Sequence, residues 1–241
     1  MNITELLIND KEQVSLDEVF LDQANRQKIT QLVKEHYYID ELSKYNLPLN
    51  NKILLHGSSG CGKTMTAKAI AKALSKNIFI LDLSNVISAR IGETSQHLKQ
   101  VFDKVAKEKA VLFLDEFDQI GKARENDEKD VGEMRRLVNS LIQLMDYFSE
   151  KALLICATNH PEIIDNALMR RFQLKINFEM PNAKTLDHYY DQLLSQFPKE
   201  LQGITRKYEI SFAEAKDSAL TLVKSALITA LEKKEKYLAI E

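Results

Sequence analysis

The run KILLHGSSGCGKTMT, residues 52–66, restricts this chain more than any other stretch. Residues 53–56 read as a buried strand, a glycine-rich turn follows, and Lys63-Thr64 stand at the mouth of a helix. The spacing from Gly57 to Thr64 fits G-x-x-x-x-G-K-[ST], the phosphate-binding loop. Gly57, Gly60 and Gly62 allow backbone angles that other residues resist, so successive N–H groups can curl around an anion. The binding segment thus runs through Gly57, Ser58, Ser59, Gly60, Cys61, Gly62, Lys63, Thr64 and Met65. The helix N-terminus adds partial positive charge, Lys63 adds a full one, and Thr64 offers a hydroxyl to a magnesium ion.

Composition narrows the class. Hydrophobic residues make up 44% and charged residues 28% of the 241, enough apolar material to bury a real core. The net charge is −2, so no global basic field draws the chain onto nucleic acid or anionic lipid. Two cysteines, Cys61 and Cys156, fit neither a disulfide framework nor metal-ligand spacing, which points to a reduced, cytoplasmic protein. The N-terminus lacks a basic region followed by an apolar one, and no apolar run approaches the roughly 20 residues that cross a bilayer.

Along the chain, residues 1–15 are polar and read as a loose leader. Residues 16–45 carry a helical pattern with Ile29, Leu32 and Val33 at helix spacing, and NLPLNN at 46–51 is a turn. After the phosphate loop come a helix with Ala67, Ile70, Ala71 and Leu74 inward, a strand at 77–83, and a helix at 93–107. A short strand at 110–114 follows, then a charged stretch at 122–136 that reads as a solvated loop leading into a helix. The helix continues over 137–148 with Leu141, Leu144 and Met145 inward, and strands are expected at 152–157 and 172–178. Strands alternating with helices argue for a parallel sheet covered on both faces, with the phosphate loop at the carboxyl end of its strand. Met180-Pro181-Asn182 breaks the pattern, and beyond it residues 183–197 and 211–238 read as helices. Leu220, Val223, Leu227 and Leu231 form one apolar stripe there. The expected organisation is a leader (1–15), an α/β nucleotide-binding core (16–180) and a helical lid (181–241).

Two further segments carry chemistry. VLFLDE, 111–116, is an apolar strand delivering two carboxylates to its carboxyl end. Asp115 suits a magnesium ion, held through water, and Glu116 suits acceptance of a proton from an attacking water. CATN, 156–159, ends a second apolar strand in Asn159, an amide suited to the γ-phosphate or the water. In ALMRRF, 167–172, Arg170 and Arg171 read either as surface cations or as guanidinium groups presented to a neighbouring subunit's nucleotide. His56 reads as a packed strand residue, Cys61 as a small loop residue, and Phe113, Phe117 and Phe172 as core.

Together these segments resemble the AAA+ ATPases, and more narrowly the AAA clade of protein remodellers. GSSGCGKT resembles Walker A, VLFLDEFD resembles Walker B, and TNHPEIIDNALMRRF resembles the region holding sensor 1 and the arginine fingers. The resemblance covers about residues 16–231. It implies the P-loop fold of that family, with a five-stranded parallel sheet between helices and a small all-helical lid. It implies ATP and Mg2+ as ligands, with Thr64 and Asp115 at the metal and Glu116 and Asn159 acting in cis. Arg170 and Arg171 would reach a neighbour's γ-phosphate in a ring or spiral, commonly a hexamer. Residues 16–33, with Phe20 and Leu21, resemble the segment that cradles adenine, and 210–223, with Ala213, resembles the lid helix approaching it. Arg90 stands where the clade carries a pore aromatic, Phe20-Leu21 replace a glycine, and Arg170-Arg171 shorten the usual Arg-Pro-Gly-Arg.

The expected function is an ATP hydrolase that oligomerises and remodels an unidentified protein partner. A regulatory module, switched by ATP and holding a companion such as a peptidase or toxin, is the alternative that Arg90 favours, since arginine grips apolar polypeptide poorly. A DNA-associated ATPase is the third, at odds with the near-neutral charge.

Overall fold

The computed structural model describes residues 7–9, 12–83, 91–122 and 128–238. Arg90 and part of the leader lie outside the described residues, as does Arg124, which stands where the family often places an interface arginine and reads equally as a solvated loop cation.

The apolar runs pair into one sheet. Its strands are β1 (Ile8–Asn9), β2 (Lys52–Gly57), β3 (Ile78–Asp82), β4 (Val111–Asp115), β5 (Leu153–Thr158) and β6 (Leu174–Phe178). They lie in the order β1-β3-β4-β5-β2-β6. The last five are parallel, and β1 adds to the outer edge of β3 antiparallel, Ile8 opposite Ile80. The chain has thus the α/β sheet of five parallel strands that the alternating pattern implies, plus a two-residue edge inside the segment read as a leader. All six residues of β5 are buried, which is why its sequence is continuously apolar instead of alternating.

Parallel neighbours need crossovers, and helices supply them. The helices of the first unit are α1 (Gln23–Tyr37), α2 (Ile39–Lys44), α3 (Lys63–Ala73), α4 (Ile91–Glu108), α5 (Gln119–Lys122), α6 (Glu128–Asp146) and α7 (Asn166–Met169). Leu98, Val101, Phe102 and Val105 recur at three- and four-residue spacing on α4 and are buried with Leu137, Leu141 and Met145 of α6. Leu144 is only partly buried beside them. Phe102 and Phe148 close this layer edge to face, 5.2 Å apart. Phe113, Phe117 and Phe172 are core, and Phe117 meets Phe172 edge-on at 5.6 Å.

The helical pattern over 16–45 is broken in the structure. A single 3-10 turn, Leu16–Glu18, is closed by a capping box between Ser15 and Glu18. An extended link then runs to Asp22, whose carboxylate accepts from the Asn25 N–H at 2.7 Å and starts α1. Tyr38 separates α1 from α2.

A second unit comprises residues 58–62 and 179–241. Its helices are α8 (Ala183–Leu194), capped by Asn182 on the Thr185 N–H at 2.9 Å, and α9 (Phe212–Leu238). Leu186, Tyr190 and Leu194 pack on Ala215, Ala219 and Val223. The apolar stripe of α9 divides at this point: Val223 is buried, whereas Leu227 and Leu231 are 44% and 52% exposed. The packing of α8 reaches only the first half of α9, which is why the stripe is not covered throughout.

Candidate functional site

The parallel sheet delivers Gly57, Asp115 and Thr158-Asn159 at the carboxyl ends of β2, β4 and β5. Gly57 has φ +121°, and a Cβ there would lie 2.2 Å from the Phe178 carbonyl oxygen, so the turn out of β2 requires glycine. The next helix, α3, opens with Lys63, whose stem is buried. Its ammonium donates to the Gly57 carbonyl at 2.8 Å and to Oδ1 of Asn159 at 2.7 Å. These contacts bring together Lys63 and Asn159, which are 96 residues apart in the chain.

Thr64 Oγ1 lies 3.5 Å from Oδ2 of Asp115. A hydroxyl and a carboxylate oxygen side by side are hard ligands. Magnesium is commonly held by one or two protein oxygens with phosphates completing the set, so this pair fits that ion. Burial raises the Asp115 carboxyl above its ordinary range, and the neighbouring Glu116 and Asp82 charges add to this. The Glu116 N–H and the Lys63 ammonium act the other way. A bound cation would relieve the same cost.

Glu116 has φ +50°, a left-handed conformation. Its N–H donates to Asp115 Oδ1 at 2.9 Å, and its carboxylate accepts from Gln119 Nε2 at 3.1 Å. The turn is fixed from below, where the Phe117 N–H donates to the Ala157 carbonyl at 2.8 Å and Thr158 Oγ1 donates to the buried Asp118 at 2.9 Å. The same hydroxyl accepts from the His160 N–H at 3.0 Å. Asp118, Gln119 and Thr158 were not singled out from the sequence; only the acidic repeat in DEFD hints at Asp118.

Arg170 and Arg171 are adjacent but differently placed. Arg171 forms a two-pronged bond with Asp146 at the end of α6, at 3.1 and 3.2 Å, and donates to the Ala167 carbonyl at 2.8 Å. That bond raises its pKa further. Arg170 is exposed and has no side-chain partner among the described residues.

Phe20 and Leu21 are half-buried, and Leu21 packs on Val14, Val19 and Ala69. Arg26 donates to the carbonyls of Val19 at 3.1 Å and Leu16 at 3.4 Å, and Asn25 donates to the Asn177 carbonyl at 2.8 Å. These two residues of α1, also missed in the sequence, anchor the segment 16–21 to the edge of β6.

Ser58, Ser59, Gly60, Cys61 and Gly62 belong to the second unit. Gly60 and Gly62 have φ +70° and +100°. The Gly60 carbonyl accepts from the Ala213 N–H at 3.1 Å, and a Cβ on Gly60 would meet Ser211 Oγ at 2.6 Å. Cys61 is buried, its sulfur 3.7 Å from that of Met180. Met65, in α3, is 45% exposed.

The model of the ATPase family associated with various cellular activities (AAA) matches residues 53–180. The chain is 32% identical over 215 residues to the uncharacterized AAA family ATPase y4kL of Sinorhizobium fredii, across 88% of this chain and 65% of that protein. It is 28% identical over 232 residues to a protein of Methanothermobacter thermautotrophicus named as a 26S proteasome regulatory subunit homolog, across 89% of this chain and 61% of that one. It is 31% identical over 212 residues to the human ATPase family gene 2 protein homolog A, across 82% of this chain and 24% of that one. The chain therefore spans less than two thirds of the length of each of these relatives. Among the described residues no helix is long and apolar enough to cross a membrane. With the family model covering more than half of its length, the chain belongs to the AAA family of ATPases, and that membership implies nucleotide binding.

Proposed function

We propose that this chain hydrolyses ATP with Mg2+, assembles head to tail with copies of itself, and uses turnover to remodel a protein partner. The observation that supports this most is the meeting of three strand ends around one ammonium: Lys63 on Gly57 and Asn159, with Thr64 and Asp115 alongside. The core would run over 16–180 and the lid over 181–241.

Substrate triphosphate takes the Lys63 ammonium from Asn159, freeing that amide to orient the γ-phosphate or the attacking water. The N–H groups of residues 57–64 bind the phosphate oxygens. Thr64 and Asp115 would hold Mg2+, which when bound would neutralise charge on the triphosphate. Glu116 accepts a proton from water as the water oxygen bonds to the γ-phosphorus. The bond from that phosphorus to the bridging oxygen breaks, leaving ADP and phosphate. Gln119, bonded to Glu116, steers the carboxylate. Of the two arginines, Arg170 is the finger lent to a neighbouring copy, because Arg171 is already held by Asp146. Phe20, Leu21 and Ala213 are assigned to the adenine side by the family resemblance alone. Cys61 and Cys156, buried and in no disulfide, suit a reducing, cytoplasmic setting.

A second reading is favoured by Arg90 at the pore-aromatic position and by the proteasome-related name of one relative. In it, ATP switches the grip on a companion protein without threading. The test is ATP binding and turnover in Lys63→Ala and Glu116→Gln. Loss of binding in the first, and binding without turnover in the second, support hydrolysis at this site; undiminished turnover in either contradicts it.

A further inference from the structure

The edge of the sheet opposite Lys63 carries a cavity of about 420 Å3 lined largely by polar residues. It opens where the strands begin: Lys76 precedes β3, Lys109 precedes β4, and Lys151 precedes β5. Five strand residues at about 3.3 Å each put this edge roughly 16 Å from the strand ends that hold Asp115 and Asn159.

Three lysines line this cavity, and among the described residues none is in an ion pair. Lys76 donates to the Lys151 carbonyl and to nothing else described. Asp40 and Glu108 also line the cavity but lie beyond ion-pair distance of these lysines. The C-terminal turns of α3 and α4 end here, and their dipoles favour nearby cations. That accounts for Lys76 and Lys109.

It does not account for His36. This side chain is 7% exposed and lines the same cavity. Its Nε2 lies 2.9 Å from the Asn50 carbonyl oxygen, which only accepts, so Nε2 carries the proton. Nδ1 is buried and has no hydrogen-bond partner among the described residues. Such atoms are few in folded proteins and call for a ligand or a water. Burial and then the Lys76 charge hold His36 below its ordinary pKa, against the Asn50 hydrogen bond and the Glu35 charge, which raise it. Burial and the Lys109 charge likewise lower Lys76. An anion in the cavity would offset each of these costs.

We propose that this cavity binds a phosphate-type oxyanion, either free phosphate or the phosphate of a small molecule. Lys76, Lys109 and Lys151 hold it by charge and Ser75 by its hydroxyl, and its negative charge lets His36 take up one proton from solvent at Nδ1. The cavity exceeds a single oxyanion in volume, and Asp40 and Glu108 can accept from hydroxyl groups on an attached body. Because His36 protonates on binding, the anion binds more tightly as pH falls from 8 to 6. Lys76, Lys109, Lys151, Asp40, Glu108 and Glu35 are the other charged groups around that imidazole among the described residues.

The test uses the full chain carrying Lys63→Ala, which weakens the other anion site, at constant ionic strength in chloride. Sulfate is the first probe, because it stays dianionic from pH 6 to 8. Calorimetry should show one sulfate site, several-fold tighter at pH 6 than at pH 8, and imidazole NMR should show the His36 pKa rising. Lys76→Met should weaken binding about tenfold, as loss of a charge-assisted hydrogen bond does. The exposed Lys109→Ser variant, which spares the fold, should also weaken it. Glycerol phosphate binding tighter than phosphate identifies a phosphorylated body, and equal affinity identifies free phosphate. Sulfate affinity that is untouched by both substitutions, or a His36 resonance that never moves, overturns the proposal and leaves Nδ1 to a water.

Discussion

The Lys63 ammonium is bonded at 2.7 Å to the side-chain oxygen of Asn159, joining the first residue of α3 to the end of β5. In the proposed reaction this is the contact that substrate must displace, so the two residues should respond differently to mutation. Lys63→Ala should weaken ATP binding about tenfold or more, the worth of a charge-assisted bond. Asn159→Ala removes no positive charge and unties Lys63, so binding should be retained while turnover falls. Equilibrium titration with ATP beside steady-state rates separates the two. Equal losses of binding in both variants would contradict the assignment.

Glu116 and Gln119 form the second test. Glu116→Gln should lower turnover by about 10^2- to 10^4-fold, the usual contribution of a general base, with ATP binding intact. Gln119→Ala leaves the carboxylate present but unsteered. It should lower kcat less, with KM little changed and the pH profile of kcat displaced. A Gln119→Ala enzyme indistinguishable from the parent in both would remove Gln119 from its positioning role.

Gly57 tests the fold beneath the site. An alanine there places its Cβ against the Phe178 carbonyl in a backbone conformation that side chains resist. Gly57→Ala should cost about 2–4 kcal/mol, the range of positive-φ strain plus a steric clash. Thermal or denaturant unfolding measures this directly, and an unchanged midpoint would show that the turn is not as tight as described.

Acid sensitivity should have one origin at His36. Its folded-state pKa lies below the ordinary 6.5. As pH falls below 6.5 the unfolded chain takes up a proton that the folded chain refuses, so stability declines until the folded pKa is reached. The slope is at most about 1.4 kcal/mol per pH unit for one group. Unfolding followed from pH 8 to 5 in buffers free of multivalent anions should show this decline. His36→Gln, which retains a side-chain donor, should flatten it; an unchanged profile would assign the effect elsewhere.

Much of this molecule was legible before its structure. The strand expected at 53–56 is Lys52–Gly57, and the helix expected at 93–107 is Ile91–Glu108, because apolar periodicity dominates where an element is long and half-buried. The family, too, was legible, since its motifs join glycine placement to charged strand ends. What escaped depends on partners remote in sequence or on very few residues. β1 has two residues inside a polar run, and its pairing with β3 leaves no local signature. Asp118 binds Thr158 forty residues away, and Arg171 binds Asp146 twenty-five away. The apolar stripe of α9 was visible, but only packing shows that its second half is uncovered.

The central claim is that triphosphate held in one copy is broken with the help of Arg170 from the next. Mixing Glu116→Gln with Arg170→Ala subunits tests it most directly. Each variant should assemble with ATP yet be nearly inactive alone. In an equal mixture roughly a quarter of sites combine an intact Glu116 with a neighbour's intact Arg170, given random head-to-tail assembly. The account predicts ATPase activity in the mixture in that proportion. Mixed assemblies that form but stay inactive, or an Arg170→Ala protein as active as the parent, would contradict it.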